Sequence, residues 1–566
     1  MRRAGVESLL CAAALALFAG MLLPGLSSPL FWHDEGDTAM FATRILEVGY
    51  PKVHGPRNVL YEFGAPLAVG VKESQDAYIG KPWGDYYFAV PGVWWARGSD
   101  DPHVRTFRVR LPFALAGALG VGAWLWGVLP ALPPRRRALF AASYFALSAV
   151  SISLLLHLRE ARYYPLLVLA LGALVAVHLR AVVLHASAAR RDAVATALLL
   201  PILFQVFPVA WFPALGWCAA DAAREAWRAG HAPGRTERRV RALVPHAVGA
   251  LLTLPALLYF ETFGVASRFA EAQDAGVARW LSNAGAVLAH FVRHEWLVAA
   301  IVARAAAAAF ARRASPAARE ATRASSAVAS RLCTFAAAYA AFGCIDPLVY
   351  ERYFVALSPA LTLSFLLDAF SCASLLEEAP RGLRRAAAAA LALLVAGTLA
   401  ARRGEIAGHV AELRTPVQGP LDFAVESLRE RYPDPSTLLI ATNYEAQPLM
   451  FYLGGRVIVG LAGGDLARER ALEPDIVIPR RRWPRSLAEL RGFLARARWD
   501  EERLPVLDTH YNQVPSLTPS AATPDPHRFE TPVSDPEAPH SLRIFHRRAP
   551  AEPVRRAPSP DAPRAG

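Results

Sequence analysis

The sequence predicts a polytopic α-helical membrane protein of about eleven spans, ending in a small extracytoplasmic α/β domain. Three observations lead there. Hydrophobic residues make up 54% of 566 residues, with a mean hydropathy of +0.25, above the roughly 45–50% usual for a soluble chain. The apolar residues come in runs near the ~20 residues needed to cross a bilayer. Past residue 402 those runs stop, and short strand-like and helix-like segments alternate.

Spans are predicted near 5–25, 108–130, 138–157, 163–183, 244–262, 329–345, 353–370 and 386–401, with less regular apolar stretches at 194–222 and 284–311. Basic clusters orient them, because Lys and Arg gather in short cytoplasmic loops. The clusters are Arg2-Arg3, Arg135-Arg136-Arg137, Arg190-Arg191, the run Arg224 to Arg241, Arg312-Arg313 with Arg319 and Arg323, and Arg381 with Arg384-Arg385. All lie inside only if 194–222 crosses twice as a tight hairpin, broken near Pro208 and Pro213. A first outer loop at 26–107, short turns at 158–162 and 346–352, and everything after about 402 then lie outside. The first segment also reads as a cleaved signal peptide, with Met1-Arg2-Arg3 as its charged end and Leu26-Ser27-Ser28 as its cleavage site. The many later spans favour an anchor.

The net charge of +13 is not taken as a nucleic-acid footprint, since most of the excess sits in the cytoplasmic turns. Cys11, Cys218, Cys333, Cys344 and Cys372 are scattered in or beside apolar spans. No pair has metal-ligand spacing, so neither a disulfide framework nor a zinc site is expected. Of 61 basic residues only Lys52, Lys72 and Lys81 are lysines, all in the first outer loop.

The transmembrane part is assigned to 1–402 and the outer domain to 403–548. Leu421 to Arg431 reads as an amphipathic helix, Thr437 to Thr442 as a buried strand, and 446–453 as a helix. Arg456 to Gly460 and Asp475 to Ile478 are further strands, and Ser486 to Arg498 is a helix. Strands alternating with helices predict a partly parallel sheet. Ala549 to Gly566 has almost no large apolar residue and is expected to be disordered.

The segment with most chemical content is Phe31-Trp32-His33-Asp34-Glu35-Gly36-Asp37. It holds three carboxylates within four residues where the chain leaves the first span. Charges at that depth are costly unless water or a partner meets them. A helix predicted over Thr38 to Val48, closed by Gly49-Tyr50-Pro51, would hold the acids at the bilayer surface, within reach of a lipid head group.

Asp34-Glu35 behind the first span, with Ala39 to Leu46 and Gly49-Tyr50-Pro51, resembles the acidic motif of the GT-C glycosyltransferases. That group includes protein O-mannosyltransferases (family 39), lipid A aminoarabinose transferases and bacterial relatives that glycosylate lipopolysaccharide. Further likenesses run along nearly the whole chain. They are Gly80-Lys81-Pro82, Arg110-Leu111-Pro112 with Ala114 to Gly117, Arg159-Glu160-Ala161-Arg162-Tyr163-Tyr164, Arg352-Tyr353-Phe354 with Pro359, and Asn443-Tyr444-Glu445 with Phe451 to Gly454. The chain departs from the pattern at Trp83, where many relatives carry a second proline.

The resemblance implies a GT-C-like enzyme of the bacterial inner membrane, transferring a hexose or pentose from a polyprenyl-phosphate donor. The acceptor would be an envelope lipid, glycan or protein. It implies no certain cofactor and leaves a divalent metal open. The residues suit that chemistry. An acceptor hydroxyl or amine must lose a proton as it attacks the anomeric carbon, which a positioned carboxylate accepts. The departing lipid phosphate gains charge that cations must stabilise. Asp34 is the expected base, Glu35 its neighbour and Glu160 a second carboxylate. Lys81, Arg162, Tyr163 and Arg352 are the expected substrate contacts, and inversion is the expected outcome.

Each residue also has a plainer reading. Asp34 and Glu35 suit a solvated helix N-terminus, Glu160 an ion pair with Arg162 or Arg159, and Arg352 an interfacial snorkel. Lys81 suits an ordinary loop. His33 reads as a hydrogen-bonding neighbour rather than a metal ligand. Arg293-His294-Glu295 sits either on an acceptor path or at the interface, and the aromatics of 83–95 suit an interfacial belt. A lipid or polysaccharide transporter or flippase would also have many spans, but is expected to place its charges at mid-membrane in paired halves. An O-antigen-type polymerase or ligase, closer in chemistry, typically carries its basic residues in a large late loop. A non-catalytic scaffold would tolerate loss of the acids.

Overall fold

The structure is a computed structural model. It describes residues 2–53, 71–72, 74–185, 189–228, 235–264, 266–267, 276–346, 349–458, 472–480, 487–509 and 529–548. The expected disordered tail at 549–566 lies outside the described residues.

The first half is almost wholly helical. Its elements are α1 (Arg2–Leu22), α2 (His33–Val48), the two-stranded β1 (Val71–Lys72) and β2 (Ala77–Tyr78), and α3 (Gly84–Ala96). Then come α4 (Pro102–Val128), α5 (Pro134–Ser148), α6 (Ile152–Leu158), α7 (Tyr163–His178), α8 (Ala189–Val206), α9 (Pro208–Arg228) and α10 (Arg235–Tyr259). The second half continues with α11 (Val277–His294), α12 (Leu297–Arg313), α13 (Pro316–Gly343), α14 (Leu357–Leu375), α15 (Arg381–Ala401) and α16 (Arg403–Arg414).

Five described helical segments are long and apolar enough to cross a membrane: Pro102–Ala131, Tyr163–Val183, Ala242–Tyr259, Leu357–Leu375 and Arg381–Ala401. α15 has no buried residue at all. One face rests on the core through Leu391, Leu394, Val395 and Leu399, and the apolar residues of the bare face, such as Leu393, are stable against lipid, not water. One expected straight span is corrected, and one stretch expected to be irregular is broken. The stretch at 138–157 is α5 and α6 bent by 81°, and that at 284–311 is α11 and α12 bent by 81°. Counting each bent pair as one brings the number to 7. The other expected spans fall on α1, on α13, and on α8 and α9, which are separate helices divided at Phe207.

Close helix contact holds the bundle. A Cβ on Gly120 of α4 would come within 2.7 Å of the Leu169 backbone nitrogen, and one on Gly127 within 2.6 Å of Ala176 Cα. Small residues therefore seat α4 directly on α7, as in membrane helix pairs generally. At the start of α4, Asp101 caps the helix by accepting from the His103 and Val104 amides, with Pro102 in the first turn.

The C-terminal part contains α17 (Pro420–Arg431), β3 (Leu439–Thr442), α18 (Ala446–Leu453), β4 (Arg456–Ile458), β5 (Ile476–Ile478), α19 (Leu487–Arg496), β6 (Trp499–Leu507) and β7 (Ser541–Arg547). Its five-stranded sheet runs β4-β3-β5-β7-β6. β4, β3 and β5 are parallel; β7 and β6 add antiparallel. Neither β6 nor β7 was expected. β6 is an edge strand whose first half, Trp499-Asp500-Glu501-Glu502-Arg503, is mostly charged, as edge strands often are. α18 packs on α2, so the domain sits beside the acidic segment.

Candidate active site

The acidic helix begins earlier than expected, at His33 rather than Thr38. Asp34 and Glu35 thus lie in its first turn, where the helix dipole favours negative charge. Gly49 ends it in the left-handed conformation (φ 88°), its N–H reaching Ile45 O at 2.9 Å. At the other end a Cβ on Gly36 would fall 2.3 Å from Pro448 Cδ. Only glycine allows α18 to dock there.

One helical turn sends the three acids to different places. Glu35 is fully buried (0% exposed). Arg110 of α4 donates to both its oxygens, Nε to Oε1 at 2.7 Å and Nη2 to Oε2 at 2.6 Å, and the Ala161 amide donates at 2.8 Å. This bidentate pair is complete. Asp37 is buried, and burial pushes its carboxyl above the ordinary value. Asp34 keeps a side chain 19% exposed.

Two guanidiniums face Asp34 from two short turns. Arg162 Nη2 lies 3.5 Å and Arg352 Nη2 3.6 Å from Asp34 Oδ2. Arg162 Nη1 also donates to the Asp34 carbonyl at 3.0 Å. Burial would push the Asp34 carboxyl up, but Arg162 and Arg352, helped by His33 and Lys81, outweigh it and hold the carboxyl below its ordinary value. Neither arginine spends its full donor set, because the buried Nε of each has no hydrogen-bond partner. Arg352 lies over the rings of Tyr350 (4.0 Å) and Trp32 (5.2 Å).

Lys81 arrives from the loop before α3. Its ammonium pairs with Asp85, on that helix, and sits 4.3 Å over Tyr86 and 5.5 Å from the Tyr163 ring. Burial, with the Arg162 charge, pushes the ammonium down to about 8 against the pull of Asp85. Tyr163 stacks on Phe207 at 4.5 Å, at the hinge between α8 and α9.

Glu160 is placed differently. The Trp32 indole N–H donates to it at 3.3 Å, and its other oxygen lies 3.6 Å from His157 Nδ1. Burial raises its carboxyl, with His157 opposing. It lines a small cavity with Ser28, Trp32, Glu35, Arg110 and Arg159. Arg159, one residue before it, turns away toward Glu412 of α16 (3.4 Å).

The structure therefore gathers Lys81, Arg162, Tyr163 and Arg352 near the partly exposed carboxylate of Asp34. It sets Glu160 behind Trp32, and Glu35 in a closed pair. Sequence reasoning missed Trp32, Asp85 and Tyr444 as members of this site. Asp85 stands four residues after Lys81, a helical pairing interval. Tyr444 comes from the C-terminal α/β part and stacks on His33, with ring centroids 5.1 Å apart and planes 15° apart.

No protein-family model matches the chain, and no curated protein matches it significantly. The structure is similar to that of ArnT from Cupriavidus metallidurans in the apo state, at 15% sequence identity and a TM-score of 0.49 over 96% of this chain and 98% of that one. It is also similar to ArnT from Cupriavidus metallidurans bound to undecaprenyl phosphate, at 16% identity and 0.49 over 92% and 99%.

Proposed function

We propose that this chain is a glycosyltransferase that moves a sugar from a polyprenyl-phosphate donor to an envelope acceptor, on the outer face of a bacterial inner membrane. The observation that carries the proposal is the partly exposed carboxylate of Asp34 between two guanidiniums whose hydrogen-bonding capacity is partly unspent. Buried N–H donors without acceptors are costly, and a phosphate monoanion would satisfy them. The acidic and basic motifs resembling those of GT-C enzymes supply the same residues.

The chemistry is a single displacement. Arg162 and Arg352 grip the donor phosphate, and Lys81 adds positive charge. The acceptor O–H or N–H gives its proton to the Asp34 carboxylate as the new bond to the anomeric carbon forms. The bond from that carbon to the phosphate oxygen breaks with its electron pair. The lipid phosphate leaves with one more negative charge, which the arginines stabilise more strongly than the ground state. Attack from the side opposite the phosphate inverts the anomeric centre.

The depressed Asp34 carboxyl is at first sight a poor base. In this proposal the donor corrects it. A phosphate that takes up both guanidiniums removes the charges that hold Asp34 down, so the carboxylate becomes more basic once the donor is bound. Glu35, Arg110 and Glu160 act as positioning residues that fix the turns carrying Asp34 and Arg162.

Asp34→Asn tests the assignment. Transfer from a polyprenyl-phosphate sugar should fall roughly 10²–10⁴-fold, at unchanged abundance in the membrane. Full activity would rule out the role. Sidedness has its own test: cysteines placed at Ser99 and Gly404 should be labelled from outside intact cells, and one at Ala138 should not. Protection of Gly404 would put the α/β domain in the cytoplasm.

A further inference from the structure

Far from Asp34, α7 ends at His178, 15 residues after Tyr163 and about 22 Å along the helix at 1.5 Å per residue. There the fold assembles a second group whose members are widely separated in sequence. His178, Cys218 of α9 and His246 of α10 are all buried, and one ligand atom from each lies within 4.8 Å of the others. None of these residues takes part in the proposed transfer.

The hydrogen bonding around the group leaves nitrogen lone pairs available. His246 Nδ1 lies 3.2 Å from the Ala242 carbonyl, so that nitrogen carries the proton. Its Nε2 is then a lone-pair donor. The side chain is 6% exposed, and Nε2 is buried with no hydrogen-bond partner. His178 Nε2 lies 3.1 Å from Asp221 Oδ2, which leaves the other ring nitrogen with its lone pair. Asp221 is itself held by Arg331 at 3.3 Å. A carboxylate that orients an imidazole from behind is the usual outer partner of a metal-bound histidine.

We propose that His178, Cys218 and His246 form a zinc site that fastens α7 to α9 and α10. Two imidazoles and a thiolate suit zinc, which prefers nitrogen and sulfur in a tetrahedron. Bond lengths of about 2.0–2.1 Å to nitrogen and 2.3 Å to sulfur set ligand-to-ligand edges near 3.3–3.6 Å, so side-chain movements of about 1 Å close the site. Water supplies the fourth ligand, with Asp221 kept behind His178 as its outer partner. Both histidines bind neutral and the Cys218 thiol loses its proton, so each zinc bound releases one proton to solvent.

Cobalt(II) and zinc(II) are the probes, added to the full-length chain purified in detergent with any affinity tag removed. Cobalt should give a thiolate-to-cobalt charge-transfer band that saturates near one equivalent and is abolished by one equivalent of zinc. Cys218→Ser should lose the band, and His246→Ala should weaken cobalt binding at least ~10-fold, the low end for disturbed metal sites. Zinc should raise the thermal midpoint of the wild type and leave that of Cys218→Ser unmoved. A wild-type protein that binds cobalt without a thiolate band, or holds no more zinc than Cys218→Ser, overturns the proposal. Because the wild-type spectrum decides by itself, a variant that fails to fold does not protect it.

Discussion

Two buried arginine–carboxylate groups lie on either side of the His33–Tyr444 stack, and they are finished to different degrees. In the C-terminal α/β part Arg480 uses all of its side-chain nitrogens. Nε donates to Asp508 at 2.7 Å, Nη1 to Glu445, and Nη2 to the Thr509 carbonyl at 2.7 Å. Its backbone N–H donates to Asn443 Oδ1 at 2.8 Å. Around Asp34 the distances open to 3.5 and 3.6 Å, and two Nε groups have no acceptor. Burying a charge costs several kcal/mol unless it is well paired. The closed group meets that cost within the protein and fixes one conformation. The open group leaves part of it unmet, which suits a place where a ligand completes the pairing.

The comparison breaks most visibly at a closed group. Glu35→Ala strands Arg110 in a buried setting and should cost about 3–5 kcal/mol, seen as loss of folded protein and a lowered thermal midpoint in detergent. Full stability with lost transfer would instead move Glu35 into the reacting centre. Arg352→Ala, in the open group, should behave the other way. Thermal stability should hardly change, while turnover falls about 10²-fold or more, the scale for losing one stabilising donor. Free polyprenyl phosphate should also bind more weakly. Arg352→Lys keeps the charge but not the fork and should retain part of the activity. Unchanged turnover and product binding in Arg352→Ala would return it to the interfacial reading.

The smallest effect concerns Lys81. Its ammonium is held down to about 8, so the charge is present below that pH and lost above it. If that charge helps hold the donor, donor affinity should weaken a few-fold as pH rises through about 8, and Lys81→Arg should remove this limb. The stability sign is opposite. The folded protein disfavours protonated Lys81, so this residue's contribution to stability improves as pH climbs from about 8 toward the ordinary lysine value. An unaltered limb in Lys81→Arg would assign the pH dependence elsewhere.

The open group was the more legible of the two. Asp34, Arg162 and Arg352 stand out because each is a charge in a short turn beside an apolar run, a placement that sequence displays directly. What sequence does not display is the direction of each side chain within one helical turn. Asp34 and Glu35 are adjacent, yet only the fold sends one to Arg162 and Arg352 and the other to Arg110. The bends at 149–151 and 295–296 escaped notice for a related reason. No proline or glycine marks either. At the second, the backbone turns at buried Glu295, whose carboxylate accepts hydrogen bonds from Ser151 and Ser358 at 2.7–3.1 Å, partners distant in the chain. The His178, Cys218 and His246 group was invisible for the same reason: its spacing reflects helix packing, not a local motif.

The contact of Gly36 with Pro448 bears on modularity. The C-terminal α/β part looks like an accessory, following the helical part through the chain around residues 402–419. Here a proline ring of that domain occupies the place where any other residue at position 36 would carry its first side-chain carbon. The two parts share a tooth and a socket one atom deep. A transplanted domain with a different contour at 448, or a host with alanine at 36, would shift the very turn that presents Asp34. Inheritance of the domain should therefore be all or nothing, with residues 31–36 and 444–452 travelling together.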